Sequence, residues 1–269
     1  MVMLPPSRGM IRFDVNLFTE LNEEYKDRPL VPRARNTADA SQMQRQGNRR
    51  ASFLQQRYDL RGCRTLEIGC GRGEVTYALA REFGCDATGI DIVEYPEWAA
   101  RRGEGVTLRV LDITKDDYSS LGTFDVIYSF AVWEHIRHPY TALRAAFNLL
   151  RPGGRMYLNA NLYRGLKASH RYREVFFPWP HLLFSEEVFA EFYRRTCGKP
   201  RYPAWVNRLV AAEYMEYFSE IGFRIDDVWF DTTPIDEPFY ARFEHVLGRY
   251  PRTDLQRDFI HADLRRDQV

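Results

Sequence analysis

The 269-residue sequence lacks several features that would define a class of protein at once. No segment approaches the roughly 18 consecutive apolar residues of a membrane-spanning helix. The first ten residues, MVMLPPSRGM, lack the apolar core of a secretory signal. A formal net charge of +1 argues against a general binder of nucleic acids. We therefore expect a cytoplasmic protein with neither a membrane nor a nucleic-acid partner.

Cysteine is scarce, and its spacing excludes two kinds of site. The four cysteines are Cys63, Cys70, Cys85 and Cys197, and no two of them form a C-x-x-C pair. Their spacing forms no regular disulfide framework either. Reduced thiols in a cytoplasmic setting are the expectation.

Charge is distributed unevenly along the chain. Residues 1–64 carry 12 Lys and Arg against 7 Asp and Glu, whereas residues 213–269 carry 7 against 13. Two interpretations stay open: a solvated arm and tail, or a basic lip over an anionic group of a substrate.

The most informative stretch runs from Thr65 to Gly73 and reads TLEIGCGRG. A short apolar run breaks into glycines at alternate positions, which is typical of a buried strand that ends in a tight turn. The next ten residues, 74–83, place apolar side chains on one face and are followed by Gly84, which predicts a helix. A strand, a glycine turn and a helix N-terminus together favour the polar part of a nucleotide-like ligand.

Further strands and helices alternate at the spacing of βαβ units. We predict strands over 86–92, 106–111, 124–130, 155–160, 223–230 and 259–264, with helices over 139–150 and 206–221. The helix over 139–150 should be closed by a turn at residues 151–154. The expected fold is α/β: a doubly wound, mainly parallel, Rossmann-like seven-stranded sheet with an inserted segment after its fifth strand.

Four regions follow from this pattern. Residues 1–60 should form an arm, with short helices over 13–25 and 42–58, that covers the site; residues 61–161 form the core. Residues 162–205, rich in aromatic and basic side chains, form a substrate-side insert with a helix over 185–194 that Ser185 caps. Residues 206–269 complete the core.

Arg49 and Arg50 on the second helix form a solvent face, or one of them meets a ligand carboxylate at the glycine turn.

The glycine spacing distinguishes between two classes of nucleotide ligand. The dinucleotide pattern G-x-G-x-x-G fails, because Glu74 stands where its last glycine belongs and Gly73 comes one place early. Glu67, two residues before the first glycine, would repel a pyrophosphate but attract a positively charged amino acid group. Asp91, twenty residues beyond Gly71, is well placed to accept hydrogen bonds from ribose hydroxyls.

These elements resemble the class I S-adenosylmethionine-dependent methyltransferases, and the resemblance covers about 65–161. It rests on LEIGCGRG, the acid of TGIDI, LDIT, the block FDVIYSFAVWEHI and the segment LLRPGGRMYLNAN. The cofactor residues that the resemblance implies are Glu67, Gly69, Cys70, Gly71 and Gly73 at the methionine end, Asp91 and the neighbouring Ile92 at the ribose, Asp112 and Ile113 at the adenine, and Phe130 and Ala131 at the sulfonium.

The pair Glu134 and His135 resembles the E-H segment of small-molecule O-methyltransferases such as the ubiquinone and sugar enzymes. His135 is the expected general base and Glu134 its orienter; alternatively His135 is a structural hydrogen bonder at a helix start. Ala131 stands where the related E-x-x-E-H metal motif has its first Glu. His170 and His181 could join His135 as ligands, but a divalent metal is not expected.

The insert resembles substrate-side segments of bacterial methyltransferases in secondary-metabolite and glycan pathways. We expect Tyr163, His170, Trp179 and His181 to contact the substrate, with His181 as a second catalytic candidate. The alternative is that the aromatic side chains form a lid core or a homodimer face.

The sequence thus predicts an enzyme that methylates a hydroxyl of a sugar, glycan or secondary-metabolite intermediate. Two alternatives stay open: N-methylation without a base, and a protein that binds S-adenosylmethionine without turnover.

Overall fold

The computed structural model describes residues 13–28 and 39–268. Within those ranges no helix is both long enough and apolar enough to cross a lipid bilayer. Contacts divide the described residues into two compact units. The aromatic unit holds 13–28, Asn161–Val210 and Asp231–Phe259; the sheet unit holds 39–160, Ala211–Phe230 and 260–268. Of the predicted arm, residues 1–12 and 29–38 lie outside the described residues.

The described residues form seven strands and eleven α-helices. The strands are β1 (Arg64–Ile68), β2 (Asp86–Asp91), β3 (Val106–Val110), β4 (Phe124–Phe130), β5 (Leu150–Asn161), β6 (Arg224–Thr232) and β7 (Arg257–Arg265). The helices are α1 (Val15–Glu24), α2 (Ala40–Tyr58), α3 (Glu74–Phe83), α4 (Trp98–Arg101), α5 (Pro139–Leu149), α6 (Pro180–Leu183), α7 (Glu186–Cys197), α8 (Ala211–Ile221), α9 (Glu237–Arg242), α10 (Glu244–Leu247) and α11 (Arg252–Gln256). Short 3-10 helices span Ser119–Leu121 and Trp133–His135.

One sheet has the strand order β3-β2-β1-β4-β5-β7-β6. The strand pairs β1 with β2, β1 with β4, β2 with β3 and β4 with β5 are all parallel. The order reverses direction between β1 and β4, so the carboxyl ends of these strands open a crevice there, where open α/β sheets bind ligands. The predicted α/β fold is confirmed.

The start of β5 corrects one prediction. Gly153 and Gly154, expected in a separate turn, belong to the strand, because Arg266 exchanges backbone hydrogen bonds of 2.8 and 2.9 Å with them. This exchange is typical of antiparallel pairing, so β7 adds an antiparallel strand to the parallel ones.

Helices α2 and α3 pack against the sheet through their apolar faces. Helix α3 has the predicted bounds because Gly73 and Gly84, at its two ends, both adopt left-handed backbone conformations. Its Val75, Ala78 and Leu79 are buried. Gly47 allows the close approach of α2, since a Cβ there would lie 2.5 Å from the Cβ of Glu74.

The arginine side of α2 is only partly a solvent face. Arg57 pairs with Asp263 and, at 2.8 Å, with Asp227, while its guanidinium carbon lies 4.3 Å from the centre of the Trp229 ring. Tyr58 donates a hydrogen bond to the same Asp263 carboxylate. These contacts link α2 to β6 and β7.

The aromatic unit has a core of its own in which rings meet edge to face. Phe18 of α1 lies 5.0 Å from Phe177 and 4.9 Å from Phe184, measured between ring centres. The amphipathic patch over 13–25 therefore forms the predicted helix. Trp179 is fully buried in this core, and its indole N–H donates to the Leu255 carbonyl at 3.3 Å.

Three local predictions differ from the structure. Helix α8 begins at Ala211 rather than at residue 206, because Arg208 has a φ of +63°, which a right-handed helix excludes. Ser185 precedes α7 but makes no side-chain capping bond. Helices α9 to α11 were not predicted, since each is six residues or fewer.

Candidate active site

The turn after β1 requires glycine at its first position. Gly69 has a φ of +74°, and a Cβ there would come within 2.4 Å of Val132 Cγ2. Both observations exclude a side chain. Val132 therefore fills the space that a side chain at this position would need, and Gly69 itself lines two cavities at the carboxyl end of β1.

The peptide groups of the next glycine are held on both sides. The Gly71 N–H donates to the Asp91 carboxylate at 2.8 Å, and the Gly71 carbonyl accepts from Trp98 Nε1 at 2.7 Å. Asp91 also accepts from the Val93 N–H at 3.3 Å. These bonds fix the turn against the end of β2.

Glu67 presents a buried carboxyl group beneath this turn. Its Oε2 accepts the Thr76 N–H at 3.0 Å and the Thr76 hydroxyl at 2.5 Å. Burial raises the pKa of Glu67 to about 7, although the Thr76 hydrogen bonds and the positive charge of Arg50 act to lower it. A cation brought close to this carboxyl would favour its ionised form.

A first cavity of about 350 Å³ opens over Glu67 and the glycine turn. Arg50 lines it, with its guanidinium carbon 4.6 Å from the centre of the Phe130 ring. Burial lowers the pKa of Arg50, while the charge of Glu67 acts to raise it. Arg49 is exposed. Of the two arginines considered from the sequence, Arg50 is the one at the turn.

A second cavity, of about 440 Å³, lies at the carboxyl ends of β2, β3 and β4. It shares Gly69 and Tyr95 with the first cavity, so the two adjoin around the turn. Its lining includes the predicted residues Asp91, Ile92, Asp112, Ile113, Ala131 and His135. Cys70 and Phe130 line the first cavity instead.

The carboxylate of Asp112 accepts hydrogen bonds from the residues that follow it in the same loop. One oxygen accepts the Thr114 N–H at 3.0 Å and its hydroxyl at 2.6 Å, and the other pairs with Lys115 at 2.8 Å. Burial acts to raise the pKa of Asp112, but hydrogen bonds from Lys115 and Thr114 outweigh it and leave the pKa lowered. The carboxylate is therefore an ionised acceptor.

The end of β4 turns sharply at Ala131. Its φ is +55°, uncommon for a residue with a Cβ, and its N–H donates to Asn159 Oδ1 at 2.9 Å. The 3-10 helix Trp133–His135 follows, with Glu134 buried and His135 exposed. The turn brings His135 to the wall of the second cavity.

The predicted substrate residues lie in the aromatic unit. Tyr163 and His181 line a further cavity of about 640 Å³, which belongs wholly to that unit. His181 Nε2 donates to the Tyr163 carbonyl at 2.7 Å, and burial lowers the pKa of His181 to about 4. Trp179 has no exposed surface, which fits the lid-core alternative, and His170 is half-buried.

The geometry of the sheet unit fits a ligand that carries both an adenosine and an amino acid. Two adjoining cavities meet at a glycine that has no room for a side chain. Glu67 and Arg50 offer opposite charges in one, and Asp91 and Asp112 offer carboxylates in the other. A zwitterionic end and a hydroxyl-rich end therefore have matching partners.

Sequence reasoning missed three residues that shape this site: Thr76, Tyr95 and Trp98. Thr76 could have been suspected, since it lies three residues after the last glycine of the turn. The bond from Trp98 to Gly71 spans 27 residues and leaves no local pattern.

A family model described as a methyltransferase domain matches residues 33–228, more than half of the chain. The chain therefore belongs to the class I S-adenosylmethionine-dependent methyltransferases, and S-adenosylmethionine is its cofactor. The resemblance seen in the sequence is confirmed.

Curated relatives match a smaller part of the chain. The ubiquinone biosynthesis O-methyltransferase of Pseudomonas aeruginosa (strain UCBPP-PA14) is 34% identical over 115 residues, which are 41% of this chain and 49% of that protein. The enzyme of the same name from Aeromonas salmonicida is 36% identical over 103 residues, 36% of this chain and 43% of that protein. The matches thus span about half the length of these relatives.

Solved structures share the fold at low identity. A methyltransferase from Mesorhizobium loti gives a TM-score of 0.50 at 20% identity, covering 77% of this chain and 92% of that one. The plantazolicin methyltransferase BpumL in complex with SAH gives 0.53 at 16%, covering 93% and 90%. The [4+2]-cyclase SpnF also gives 0.53 at 16%, covering 82% and 81%. One fold thus serves more than one reaction.

Proposed function

We propose that this protein transfers a methyl group from S-adenosylmethionine to a hydroxyl group of a polar small molecule such as a sugar, a glycan or a secondary-metabolite intermediate. The observation that carries the proposal is that His135 lines the same cavity as Asp91 and Asp112. The names of the curated relatives, which are O-methyltransferases, support a hydroxyl acceptor.

The first cavity would hold the amino acid end of the cofactor. Arg50 would pair with the carboxylate and Glu67 would face the ammonium group, while Gly69 and Gly71 bring backbone close to the ligand. Opposite charges on one wall make this end of the site selective for a zwitterion.

The second cavity would hold the nucleoside end. Asp91 accepts the Gly71 N–H with one oxygen, and its remaining lone pairs can accept from ribose hydroxyls. Asp112 would accept from the adenine amino group, and Ile113, which is buried, would pack on the ring.

Bound S-adenosylmethionine supplies a methyl group on a positively charged sulfur. Phe130 and Ala131, at the end of β4, would line the space beside that sulfur. His135 would accept the proton of the acceptor hydroxyl, and the buried Glu134 beside it would orient the histidine. The proposed reaction needs no divalent metal.

N-methylation is the second candidate. A neutral amine needs positioning rather than a base, so the same cavities would serve it without His135.

The test has two stages. Calorimetry with S-adenosylhomocysteine should give a dissociation constant in the micromolar range. Methyl transfer from labelled S-adenosylmethionine is then measured against matched panels of hydroxyl and amine acceptors. Transfer to amines alone would replace the proposal of O-methylation by N-methylation. If S-adenosylhomocysteine does not bind at high micromolar concentration, both proposals are refuted.

A further inference from the structure

We propose that the cavity of about 640 Å³ within the aromatic unit binds a sugar ring. We call it the Trp205 cavity, after the tryptophan on its wall. Its volume lies in the range of small-molecule sites. The identification of that sugar with the methyl acceptor rests on the proposed function; the binding of the sugar does not.

Charge in the Trp205 cavity is balanced. Its lining includes Arg208 and Arg249 together with Glu186 and Glu187. Arg208 Nη2 lies 3.4 Å from the Glu186 carboxylate, so part of the positive charge is already compensated. A neutral ligand rich in hydrogen-bonding groups fits such a wall better than a free anion or cation.

Aromatic rings stand beside these charged groups. The Arg208 guanidinium carbon is 5.5 Å from the centre of the Tyr163 ring, and that of Arg249 is 4.8 Å from the Tyr250 ring. Trp205 is 47% exposed. Arg208 and Arg249 lie over these two tyrosine rings, so the flat surface that the C–H face of a pyranose needs is that of Trp205, while its hydroxyl edge needs donors and acceptors nearby.

His181 contributes a buried ring to the wall. Because its Nε2 donates to the Tyr163 carbonyl at 2.7 Å, Nδ1 of the neutral ring carries a lone pair. Nδ1 has no hydrogen-bond partner among the residues that the structure describes. Burial lowers the pKa of His181 to about 4, so this acceptor is retained at neutral pH. Nδ1 has almost no exposed surface, so the ring gives the wall a neutral face rather than a positive charge that would attract a phosphate dianion.

The experiment is saturation-transfer difference NMR on the full chain without cofactor. The probes are the methyl glycosides of glucose, galactose, mannose and rhamnose, with 4-hydroxybenzoate and methyl phosphate as comparisons. We expect transfer to the ring C–H protons of at least one glycoside. Trp205→Ala should weaken its binding about tenfold or more, whereas Trp205→Phe, which keeps an aromatic face, should change it about threefold at most.

Tyr202→Ala is the matched control, since Tyr202 is 51% exposed, lies three residues away and does not line the cavity. It should leave glycoside binding unchanged. Transfer to no glycoside, transfer to 4-hydroxybenzoate or methyl phosphate alone, or an equal loss in the Tyr202 variant would overturn the inference. Calorimetry with S-adenosylhomocysteine on the same samples separates the two proposals: intact binding there with no glycoside binding refutes the sugar site alone.

Discussion

Gly69 and Val132 lie so close across the first turn of the site that no side-chain atom fits between the Gly69 Cα and the Val132 side chain. A Cβ at Gly69 would stand 2.4 Å from Val132 Cγ2, well inside van der Waals contact. Val132 lines the second cavity with Gly69. The valine therefore determines which residue the turn can carry.

Gly69→Ala should destabilise the fold by about 2–4 kcal/mol, because a positive φ and a core clash add. Gly62→Ala is the control: Gly62 has a φ of +70° but nothing within 4 Å of its Cβ position, so it should cost about 1–2 kcal/mol. Urea unfolding measures both. The double variant Gly69→Ala with Val132→Ala should recover part of the loss; equal costs in the two single variants would contradict the clash.

Arg50→Ala should weaken binding of S-adenosylhomocysteine by roughly 10- to 100-fold, because a charged hydrogen bond contributes about 1.5–3 kcal/mol. Arg49→Ala, on the exposed side of the same helix, should change it less than about twofold. Calorimetry should also show that an analogue without the carboxylate binds both variants alike. A loss that persists with that analogue would assign Arg50 to the fold instead.

Glu67→Gln should remove a pH dependence of stability. Burial raises the pKa of Glu67 to about 7, so its contribution to stability is fully present below about pH 4.5 and is lost as the pH rises through 7. Glutamine stays neutral and keeps an oxygen for Thr76. Above pH 7 the variant should be more stable than the native chain by up to about 3 kcal/mol, and near pH 4.5 the two should coincide in urea titrations.

The same variant has an opposite effect on the ligand. Ionised Glu67 attracts an ammonium group, so native affinity for S-adenosylhomocysteine should rise between pH 5.5 and 7, by up to about tenfold per unit. The Gln variant should bind more weakly and show a flat profile. Parallel pH profiles would exclude contact between Glu67 and the ammonium group.

His135→Ala should lower the turnover of a hydroxyl acceptor by about 10²- to 10⁴-fold, the usual contribution of a general base. Affinity for S-adenosylhomocysteine should change little, because the exposed ring adds only to the wall of the cavity. His245→Ala, an equally exposed histidine of the aromatic unit, serves as the control. Full turnover of the hydroxyl acceptor by the Ala variant would exclude His135 as the general base.

Asp263→Ala should destabilise the protein by about 2–4 kcal/mol, since the buried Asp263 accepts from both Arg57 and Tyr58. Asp227, the other partner of Arg57, has a side chain that is 55% exposed, and Asp227→Ala should cost less than about 1 kcal/mol. Thermal and urea unfolding provide the comparison. Similar costs would mean that Arg57 is held equally by both acids.

The core of the site could be predicted because its signals are local. Helix α3 keeps its predicted bounds, since glycine at both of its ends fixes where a helix can start and stop. Asp91 and Asp112 follow consecutive strands, and a parallel sheet brings such positions to one edge. Each of these features is determined by a few residues that are adjacent in the sequence.

Other parts of the molecule depend on contacts that sequence spacing does not carry. The helical pattern of α2 does not show that Arg57 is paired, because its partners lie more than 160 residues away. Trp179 was expected to contact the substrate because it lies in an aromatic segment, but it packs in a core built from α1, α6, α7 and α9. Helix α8 begins later than predicted because the φ angle of Arg208 is positive.

The peptide groups on the two sides of Gly71 have a further consequence. Asp91 holds the N–H and Trp98 holds the carbonyl, so the turn is ordered when the chain folds rather than when a ligand arrives. The loss of conformational entropy that orders the turn therefore occurs during folding. Ligand binding then carries no further entropy cost for ordering this turn, which is a preorganisation of the site.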